Sequence, residues 1–457
     1  MPDMLLIQLP VPQTAFGLQT ANIPFGAACL KQAADGCLQH ASNPIGIGIL
    51  PESLASYLGD AALIERVCSI GPSIVGFSAF LWNIKATLYH ARMIKSRSNA
   101  HIVIGGPEVA PDNTLINDDA VDLFVFGPGE PFIADFLTSS EPWKRRWRWA
   151  RPGIEFEKSP TPYATIPLEH TIGNMMLLET TRGCPYCCAY CFYSKAVNKP
   201  IFKDEGQILA AVQWALEHHL KEIYLLDPSL NGRPDLKELL KKIAALNKNR
   251  AVRLISEIRA EAVDAQTAEL LAEAGFNWLE IGLQTTNPVA LGFMHRRPDL
   301  KKFIRGIDCL KNAKIKTGID LILGLPGDDL QSFMKTMTFV KKHDLHQDIQ
   351  IFPLSVLPGT EFRLAHETYG LSYDPNPPYT LQKSASWSDR QIWQAFTYAE
   401  GMLKTTFYPP PDLNLAWHSA RQSNAAQCSD KAAVIDKGQY YYQIWLHPPD
   451  PSRSRRT

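Results

Sequence analysis

The chain has 457 residues, of which 45% are hydrophobic, and its 46 Lys and Arg residues balance 46 Asp and Glu residues. A chain of this length buries more than one core, so we expect two or three domains. Zero net charge gives no electrostatic basis for nucleic acid or an anionic membrane as the main partner. No apolar run reaches the roughly 18 residues that span a bilayer, and residues 1–12 lack signal-peptide features, so we expect a cytoplasmic protein.

Residues 1–150 alternate short apolar runs with helical patterns. The runs predict strands at Met4–Leu9, Gly46–Leu50, Ile74–Phe80, His101–Gly105 and Leu123–Gly127, and the helical patterns lie at Gly26–Asp35, Ser53–Ser69 and Ala86–Ser96. This alternation is typical of an α/β fold with a doubly wound parallel sheet. Such a sheet binds ligands at the carboxyl ends of its strands.

Three of these predicted strand ends carry candidate ligand-binding turns. They are Ser78-Ala79-Phe80-Leu81-Trp82-Asn83, Gly105-Gly106-Pro107-Glu108 and Gly127-Pro128-Gly129-Glu130. Because glycine has no Cβ, two glycine turns on neighbouring strands indicate a flat surface where a large ligand lies close to backbone. Each sequence is also compatible with an ordinary turn.

Residues 151–174 contain four prolines and little periodicity, which predicts a linker. Just before it, residues 143–149 interleave tryptophans with Lys and Arg. Such a stretch can stack on bases or lie on a membrane, but beside a domain boundary we interpret it as a linker packed on its neighbour.

The alternation resumes at Met175 and continues to about residue 365. Strands are predicted at Glu222–Leu226, Arg253–Glu257, Trp278–Gly282, Thr317–Leu323 and Gln350–Leu354, and helices at Glu205–His218, Asp235–Leu246, Ala265–Ala274, Leu300–Ala313 and Leu330–His343. Six strand-helix units predict a partial (β/α)6 barrel with catalytic groups at the carboxyl ends of its strands. Residues 366–457 predict a small C-terminal lid with a helix at Ser386–Leu403, and we interpret Tyr440, Tyr441, Tyr442 and Trp445 as packing residues.

Three cysteines follow the predicted strand at Met175. Cys184, Cys188 and Cys191 have the spacing C-x3-C-x2-C, which lets three thiolates ligate three irons of a 4Fe-4S cluster and leaves one iron open. Cys187 adds a C-x2-C-C-x2-C register, so a zinc site or a disulfide is the alternative. Structural zinc sites usually draw ligand pairs from two separate loops, and adjacent cysteines do not easily face one ion. We therefore favour the cluster, with Cys187 as a non-ligand.

Taken together, the ordered glycine turns and the three-cysteine loop, with Tyr190 directly before its third cysteine, resemble the cobalamin-binding radical S-adenosylmethionine (SAM) enzymes over roughly residues 1–405. The resemblance implies a 4Fe-4S cluster, SAM and cobalamin as cofactors. It departs from other cobalamin folds in lacking Asp-x-His-x-x-Gly, which implies no protein histidine below the cobalt. Gly-Pro-Gly-Glu also stands where Gly-Glu-Gly-Glu is commoner.

The resemblance implies a set of site residues. It gives Cys184, Cys188 and Cys191 to the cluster and the Tyr190 backbone to adenine. The turn from Asp227 to Ser229 receives the methionyl amine, and Glu257, Arg259 and Gln284 contact ribose and carboxylate. Cobalamin takes Ser78, Leu81, Trp82, Gly105, Gly106, Gly127, Gly129 and Glu130, with Leu81 or Trp82 on the lower face of cobalt. A structural ion pair is the alternative for Glu257 and Arg259, and we interpret residues 295–297 as a solvated helix start.

The implied activity is cobalamin-dependent methyl transfer to an unactivated carbon of a small-molecule biosynthetic intermediate, with flavodoxin or ferredoxin as electron donor. Oxidative cyclisation and ring rearrangement in the same family remain alternatives, as does a non-catalytic iron-sulfur or cobalamin sensor. Methylthiolation of RNA is disfavoured, because such enzymes carry three N-terminal cluster cysteines that Cys29, Cys37 and Cys68 do not match.

Overall fold

The computed structural model describes residues 2–10, 23–38, 45–139, 143–144, 146–149, 156–164, 175–197, 199–405 and 407. The chain divides into two compact units, one of residues 1–155, 162–173 and 411–457 and one of residues 156–161 and 174–410. Within the described ranges, no helix is both long enough and apolar enough to cross a membrane. Residues 440–445 lie outside these ranges, so their interpretation as packing residues stays a prediction.

The first unit contains one six-stranded parallel sheet. Its strands are β1 (Met4–Ile7), β2 (Ile47–Ile49), β3 (Ile74–Ser78), β4 (His101–Gly105), β5 (Leu123–Phe126) and β6 (Trp147–Trp149). Its helices are α1 (Phe25–Leu38), α2 (Glu52–Tyr57), α3 (Asp60–Ile70), α4 (Ile84–Lys95) and α5 (Gly129–Thr138). The strand order β2-β1-β3-β4-β5-β6 confirms the doubly wound sheet, with its switch point between β1 and β3.

The alternation of side chains along β1 explains why this sheet is buried on both faces. Leu5 and Ile7 pack into one hydrophobic core and Met4 and Leu6 into another, because successive residues of a strand point to opposite faces. A continuous apolar run is therefore what this position requires.

The strand β6 corrects the interpretation of residues 143–149 as a linker. It pairs in parallel with β5 and extends the sheet, with Phe124 opposite Trp147. The rings of these two residues stack with centroids 4.6 Å apart, and Trp143 stacks on His101 at 4.0 Å. A three-residue strand is too short for its alternation to be recognised among flanking charges.

The second unit contains another parallel sheet and two short antiparallel pairs. The parallel strands are β7 (Met175–Leu178), β10 (Glu222–Leu225), β11 (Arg253–Glu257), β12 (Phe276–Gln284), β13 (Lys316–Leu323) and β14 (Ile349–Pro353). The antiparallel pairs are β8 (Thr181–Arg182) with β9 (Ile201–Phe202), and β15 (Ser372–Tyr373) with β16 (Leu381–Lys383). The helices are α6 (Tyr193–Ala196), α7 (Glu205–Glu217), α8 (Leu236–Leu246), α9 (Ala265–Ala274), α10 (Pro288–Phe293), α11 (Leu300–Asn312), α12 (Leu330–Lys342), α13 (Glu361–Leu364) and α14 (Asp389–Leu403).

The large sheet of this unit has the order β14-β13-β12-β11-β10-β7, so neighbours in space are neighbours in the chain. Among the described residues β7 and β14 do not pair, and the sheet is an open (β/α)6 arrangement as predicted. Helix α8 buries Leu236, Leu239, Leu240 and Ile243, the i, i+3, i+4, i+7 stripe that faces a core. This arrangement places the carboxyl ends of six strands at one edge.

Candidate functional site

The three-cysteine loop lies between β8 and α6. Gly183 has a φ of 82°, in the left-handed region that favours glycine, and turns the chain into the loop. Cys188 is buried and Cys184 and Cys191 are half-buried, whereas Cys187 is exposed. Cys187 thus has a different environment from the other three cysteines of the loop.

Burial disfavours charge on the thiols of Cys184 and Cys191. It raises the pKa of Cys191 to about 12, and burial followed by repulsion from Cys188 raises the pKa of Cys184. In the described residues, no three Cys, His, Asp or Glu side chains are arranged around a single ion position. The three sulfur donors fit a cluster whose irons each take one ligand, because bound iron holds thiols in their deprotonated form.

Backbone hydrogen bonds attach the middle of the loop to two helical segments. The Ala189 N–H donates to the carbonyl of Met294 at 3.2 Å, and the Phe362 N–H donates to the Ala189 carbonyl at 3.0 Å. Ala189 is fully buried. These two hydrogen bonds therefore fix the loop by its main chain at Ala189.

Asp227 holds the start of the same loop. Its carboxylate accepts hydrogen bonds from the N–H groups of Thr180 and Thr181, at 2.7 and 2.9 Å, and from the Thr180 hydroxyl. Burial raises its pKa to about 6 despite these donors. Asp227 is fully buried, and the predicted contact of the turn from Asp227 to Ser229 with the methionyl amine stays a prediction. Ser229 is also buried and donates to Asn231 Oδ1 at 3.1 Å.

Carboxylates from three neighbouring strands meet inside the second unit. Glu257 of β11 pairs in register with Glu280 of β12, and the Glu280 side chain hydrogen-bonds Asp320 of β13. Burial, followed by repulsion from Glu280, raises the pKa of Glu257 and of Asp320 well above the usual range. Repulsion between neighbouring buried carboxylates disfavours the state in which all three are ionised.

Several buried polar atoms beside these carboxylates have no hydrogen-bond partner in the described part of the chain. They are Asp320 Oδ1, Gln284 Oε1 and Gln350 Nε2. Gln284 has a φ of 68° and is 8% exposed. Buried polar groups are rarely left unsatisfied, so these atoms mark a place where a polar ligand fits. Sequence reasoning identified Gln284 and Glu257 but did not select Glu280, Asp320 or Gln350.

Arg259 turns toward the cysteine loop. Its guanidinium lies 3.4 Å from the centroid of the Tyr186 ring and donates to Cys188 Sγ at 3.6 Å. Among the described residues it makes no ion pair with Glu257, so the alternative of a structural pair is wrong. The strand has ended at Glu257, and the following backbone directs Arg259 elsewhere.

Arg296 corrects the interpretation of residues 295–297 as a solvated helix start. His295 and Arg297 are exposed, but Arg296 is only 5% exposed. It donates to the Gly282 carbonyl at 2.7 Å and to the Tyr190 hydroxyl at 3.3 Å, while its Nε has no partner within the described ranges. A buried guanidinium without a carboxylate partner fits an anionic group of a ligand. The apolar Met294 before it was the one local sign of burial.

The predicted cobalamin residues lie at the carboxyl ends of β3, β4 and β5. Gly106 and Gly127 are exposed there, and the buried Trp82 Nε1 has no partner in the part of the chain described. Asn83, which is buried, joins the two strands of the switch point by donating to the carbonyls of Leu9 and Ser78. An unsatisfied indole N–H beside exposed glycine turns fits a large ligand with polar substituents.

At two of the glycine positions, an added Cβ would lie close to other atoms of the protein itself. A Cβ on Gly106, whose φ is 112°, would lie 2.5 Å from the Ala79 carbonyl oxygen, and one on Gly129 would lie 2.7 Å from Leu30 Cδ2. Gly105, by contrast, has room for a Cβ, with Val125 the nearest neighbour at 3.8 Å. Packing against the Ala79 backbone therefore requires glycine at 106 whether or not a ligand is bound, whereas a Cβ at 129 would only displace the end of the Leu30 side chain.

Comparison with known proteins assigns a cofactor-binding domain family to each unit. Residues 24–137 match the family model described as B12 binding domain, and residues 178–340 match that of the Radical SAM superfamily. The chain carries both domains in this order and belongs to the cobalamin-binding radical SAM enzymes. The expected cofactors, a 4Fe-4S cluster, SAM and cobalamin, are those of these two domain families.

Two curated relatives are similar over about two thirds of the chain. The chain is 24% identical over 349 residues to 2-(S-pantetheinyl)-carbapenam-3-carboxylate methyltransferase of Streptantibioticus cattleyicolor, covering 67% of this chain and 51% of that protein. It is 23% identical over 359 residues to the cobalamin-dependent radical SAM methyltransferase TokK of Streptomyces tokunonensis, covering 68% and 51%. The chain thus spans about half the length of the curated relatives it matches.

Solved structures show the same fold over nearly the whole chain. The radical S-adenosylmethionine methyltransferase TsrM of Kitasatospora setae superposes with a TM-score of 0.69 at 13% identity, covering 97% of this chain and 99% of TsrM. The cobalamin-dependent S-adenosylmethionine radical enzyme OxsB superposes with a TM-score of 0.67 at 14% identity, covering 98% and 72%. At these identities the likeness establishes the fold alone.

Proposed function

We propose that the chain is a cobalamin-dependent radical SAM methyltransferase that adds a methyl group to an unactivated carbon of a small molecule. The observation that carries the proposal is a three-cysteine loop beside buried strand-end polar groups that have no partner among the described residues, in a chain that also has a B12-binding domain. When bound, the cluster and SAM supply radical generation, and cobalamin supplies a methyl carrier. The protein's own task is to bind, orient and shield these groups.

In this proposal, Cys184, Cys188 and Cys191 hold the cluster and Arg296 binds the SAM carboxylate. Arg296 suits this task because its guanidinium is buried beside Tyr190 and its Nε lacks a partner among the described atoms. The unpartnered oxygens of Gln284 and Asp320 suit hydroxyl donors such as those of a ribose. Tyr190 and Glu257 complete the proposed SAM contacts. Ser229, which hydrogen-bonds its neighbour Asn231, stays a candidate for a further contact with SAM.

For cobalamin, we propose the carboxyl ends of β3, β4 and β5. Trp82 would offer its indole N–H, and Gly105, Gly106 and Gly127 would let backbone approach the ligand. Ser78, Leu81, Gly129 and Glu130 lie on the same strand ends and remain candidates.

A small-molecule substrate is supported by the balanced charge of the chain and by the relatives. The Streptantibioticus relative is named for a carbapenam carboxylate, and the structure of TsrM holds a tryptophan substrate. A low-potential donor such as flavodoxin or ferredoxin is proposed as the protein partner. A substrate as small as these needs no basic binding surface, in agreement with 46 basic and 46 acidic residues.

The test is an anaerobic incubation of the reconstituted protein with hydroxocobalamin, dithionite and methyl-deuterated SAM. We expect S-adenosylhomocysteine and 5′-deoxyadenosine to form, and candidate small molecules to accelerate 5′-deoxyadenosine release while gaining one labelled methyl group. The Cys191→Ala variant, which should lack the cluster, is the matched control for background SAM breakdown.

The same incubation separates the alternatives. If SAM is consumed and the product gains no methyl group, the reaction is a cyclisation or a rearrangement and not a methyl transfer. Cofactor binding with no SAM-derived product would identify a sensor. Methylation of peptide or RNA alone would contradict the small-molecule assignment.

A further inference from the structure

Arg259 makes an unusual set of contacts for an arginine at a strand end. Its guanidinium donates to Cys188 Sγ at 3.6 Å and stacks on the Tyr186 ring at 3.4 Å from the centroid. Both partners belong to the cysteine loop. Since no carboxylate in the described part of the chain forms an ion pair with Arg259, its charge is directed at the sulfur and the ring.

Asn231, which follows β10 in the chain, holds the backbone of Arg259 in place. Asn231 accepts from the Arg259 N–H at 3.0 Å and donates to the Arg259 carbonyl at 2.7 Å, so one amide fixes both backbone groups. Next to Asn231, a Cβ on Gly232 would lie 3.0 Å from Cγ of Pro185, so this segment also packs closely against the cysteine loop. Arg259 and its thiol partner are therefore positioned by the same short segment.

A hydrogen bond to a ligand sulfur changes the energy of an iron-sulfur cluster according to its charge. Reduction adds one electron and makes the cluster more negative, with no bond formed or broken in the protein. A donor or cation at the sulfur therefore stabilises the reduced form more than the oxidised form and raises the reduction potential. Solvent exposure and hydrogen bonds to sulfur are the levers by which proteins set this potential.

We infer that Arg259, stacked on Tyr186 and held by Asn231, raises the reduction potential of the cluster bound by Cys184, Cys188 and Cys191 through its hydrogen bond to Cys188. The inference rests on the proposed function, because it requires that cluster. It assigns Arg259 to the cluster and not to the SAM carboxylate, for which Arg296 is the better placed cation. Arg259 is thus a positioning residue for electron transfer into the site.

The experiment is a dye-mediated redox titration of the reconstituted cluster, followed by electron paramagnetic resonance, in the absence of SAM. Dithionite or Ti(III) citrate supplies the single electron. For Arg259→Gln we expect the ratio of reduced to oxidised cluster at a fixed potential to fall about tenfold, equivalent to a decrease of about 59 mV for a one-electron couple. Arg259→Lys keeps the charge without the planar fork and should shift less. Tyr186→Leu removes the stacking partner and should shift in the same direction as Arg259→Gln.

Arg253 provides the matched control. It lies on β11, the strand that precedes Arg259, is exposed and pairs with Glu222, so Arg253→Gln should leave the potential unchanged. Iron content, measured for every variant, distinguishes the two levels of failure. If the wild-type protein assembles no 4Fe-4S cluster, the proposed function fails.

If all variants hold the cluster and Arg259→Gln keeps the wild-type potential without SAM, the inference alone is overturned. A shift that appears only when SAM is present would equally overturn it, in favour of direct contact between Arg259 and SAM. Should Arg259→Gln lose iron, the lysine and Tyr186 variants decide the question by the same titration.

Discussion

Cys187 and Cys188 are neighbours in the chain with opposite surroundings. The first is exposed and the second is buried 3.6 Å from the Arg259 guanidinium. Burial thus separates two cysteines that spacing in the sequence does not distinguish. The exposure of Cys187 favours the predicted three-ligand set over a four-ligand set.

Alanine substitutions test this ligand set. Alanine at Cys184, Cys188 or Cys191 is expected to abolish the visible charge-transfer absorption of the reconstituted protein, whereas Cys187→Ala should keep about four irons per chain. Iron and zinc analysis with absorption spectra checks both. Iron loss in Cys187→Ala, or stoichiometric zinc in the protein as isolated, would contradict the assignment.

The neighbouring glycines 105 and 106 separate a packing role from a ligand role. A Cβ at Gly106 would meet the Ala79 carbonyl oxygen at 2.5 Å, so we expect Gly106→Ala to lower the free energy of unfolding by about 1–3 kcal/mol without any ligand. Gly105→Ala has space for its Cβ and should leave ligand-free stability within about 1 kcal/mol of wild type. If the Gly105 backbone approaches cobalamin, this variant should bind it more weakly.

Urea unfolding without ligand and equilibrium binding of hydroxocobalamin are the two measurements for this pair. Unchanged cobalamin affinity in Gly105→Ala would remove that residue from the proposed contact surface. Unchanged stability in Gly106→Ala would mean that the turn after β4 relaxes more easily than its packing indicates.

At the scale of the secondary-structure element, α9 illustrates how local sequence sets helix ends. Asp264 caps its first turn by accepting from the Thr267 N–H at 2.7 Å, and Gly275, with a φ of 108°, ends it. These are the residue types that satisfy the free N–H groups and the left-handed turn of a helix. The predicted and observed limits of α9 agree because both ends are decided locally.

Asp264→Ala should lower the free energy of unfolding by about 1 kcal/mol, while Asp264→Asn, which keeps the accepting oxygen, should lower it less. Hydrogen bonds from Lys237 and Thr267 lower the pKa of Asp264 to about 2. Because this pKa lies below the unfolded value of about 3.9, the stabilisation by the charged form is present above that value and is lost as pH falls toward about 2.

Urea unfolding of wild type and Asp264→Asn across pH checks this linkage. The difference between their unfolding free energies should be constant from about pH 7 to 5 and should decrease below about 4. A difference that already decreases above about pH 5 would show that another group dominates.

For the whole molecule, the main feature is that each unit has its own parallel sheet and its own buried residues. The core side chains on both faces of the first sheet, such as Leu5 and Met4, come from the first unit alone. Substitutions that share no partners have additive effects on free energy. Each unit should therefore bind its own cofactor when the other cofactor is missing.

The predicted outcome is that Cys191→Ala loses iron but binds hydroxocobalamin with wild-type affinity, and that Gly105→Ala keeps its iron. The double variant should show the sum of both effects, as measured by iron content and cobalamin titration. Weaker cobalamin binding by Cys191→Ala would demonstrate energetic coupling between the two sites.

Local patterns in the sequence were sufficient for most elements and for the cysteine loop. The strands β4 and β11 have the limits that were predicted, and the continuous apolar core of β4 is what a buried parallel strand requires. Several elements were not predicted, among them the three-residue β6, α5 and the short α10. The loop was predictable because its three cysteines lie within eight residues of the chain.

The sequence by itself determined the succession of two parallel α/β units, the three clustered thiols and the glycine turns, because each depends on residues close together in the chain. Tertiary structure alone decided that Asp227 anchors the loop, that Arg296 is buried at Tyr190 and that Arg259 faces Cys188. These partners are separated by 47, 106 and 71 positions. Burial and pairing at such separations follow from how the strands and helices pack, and no local periodicity encodes them.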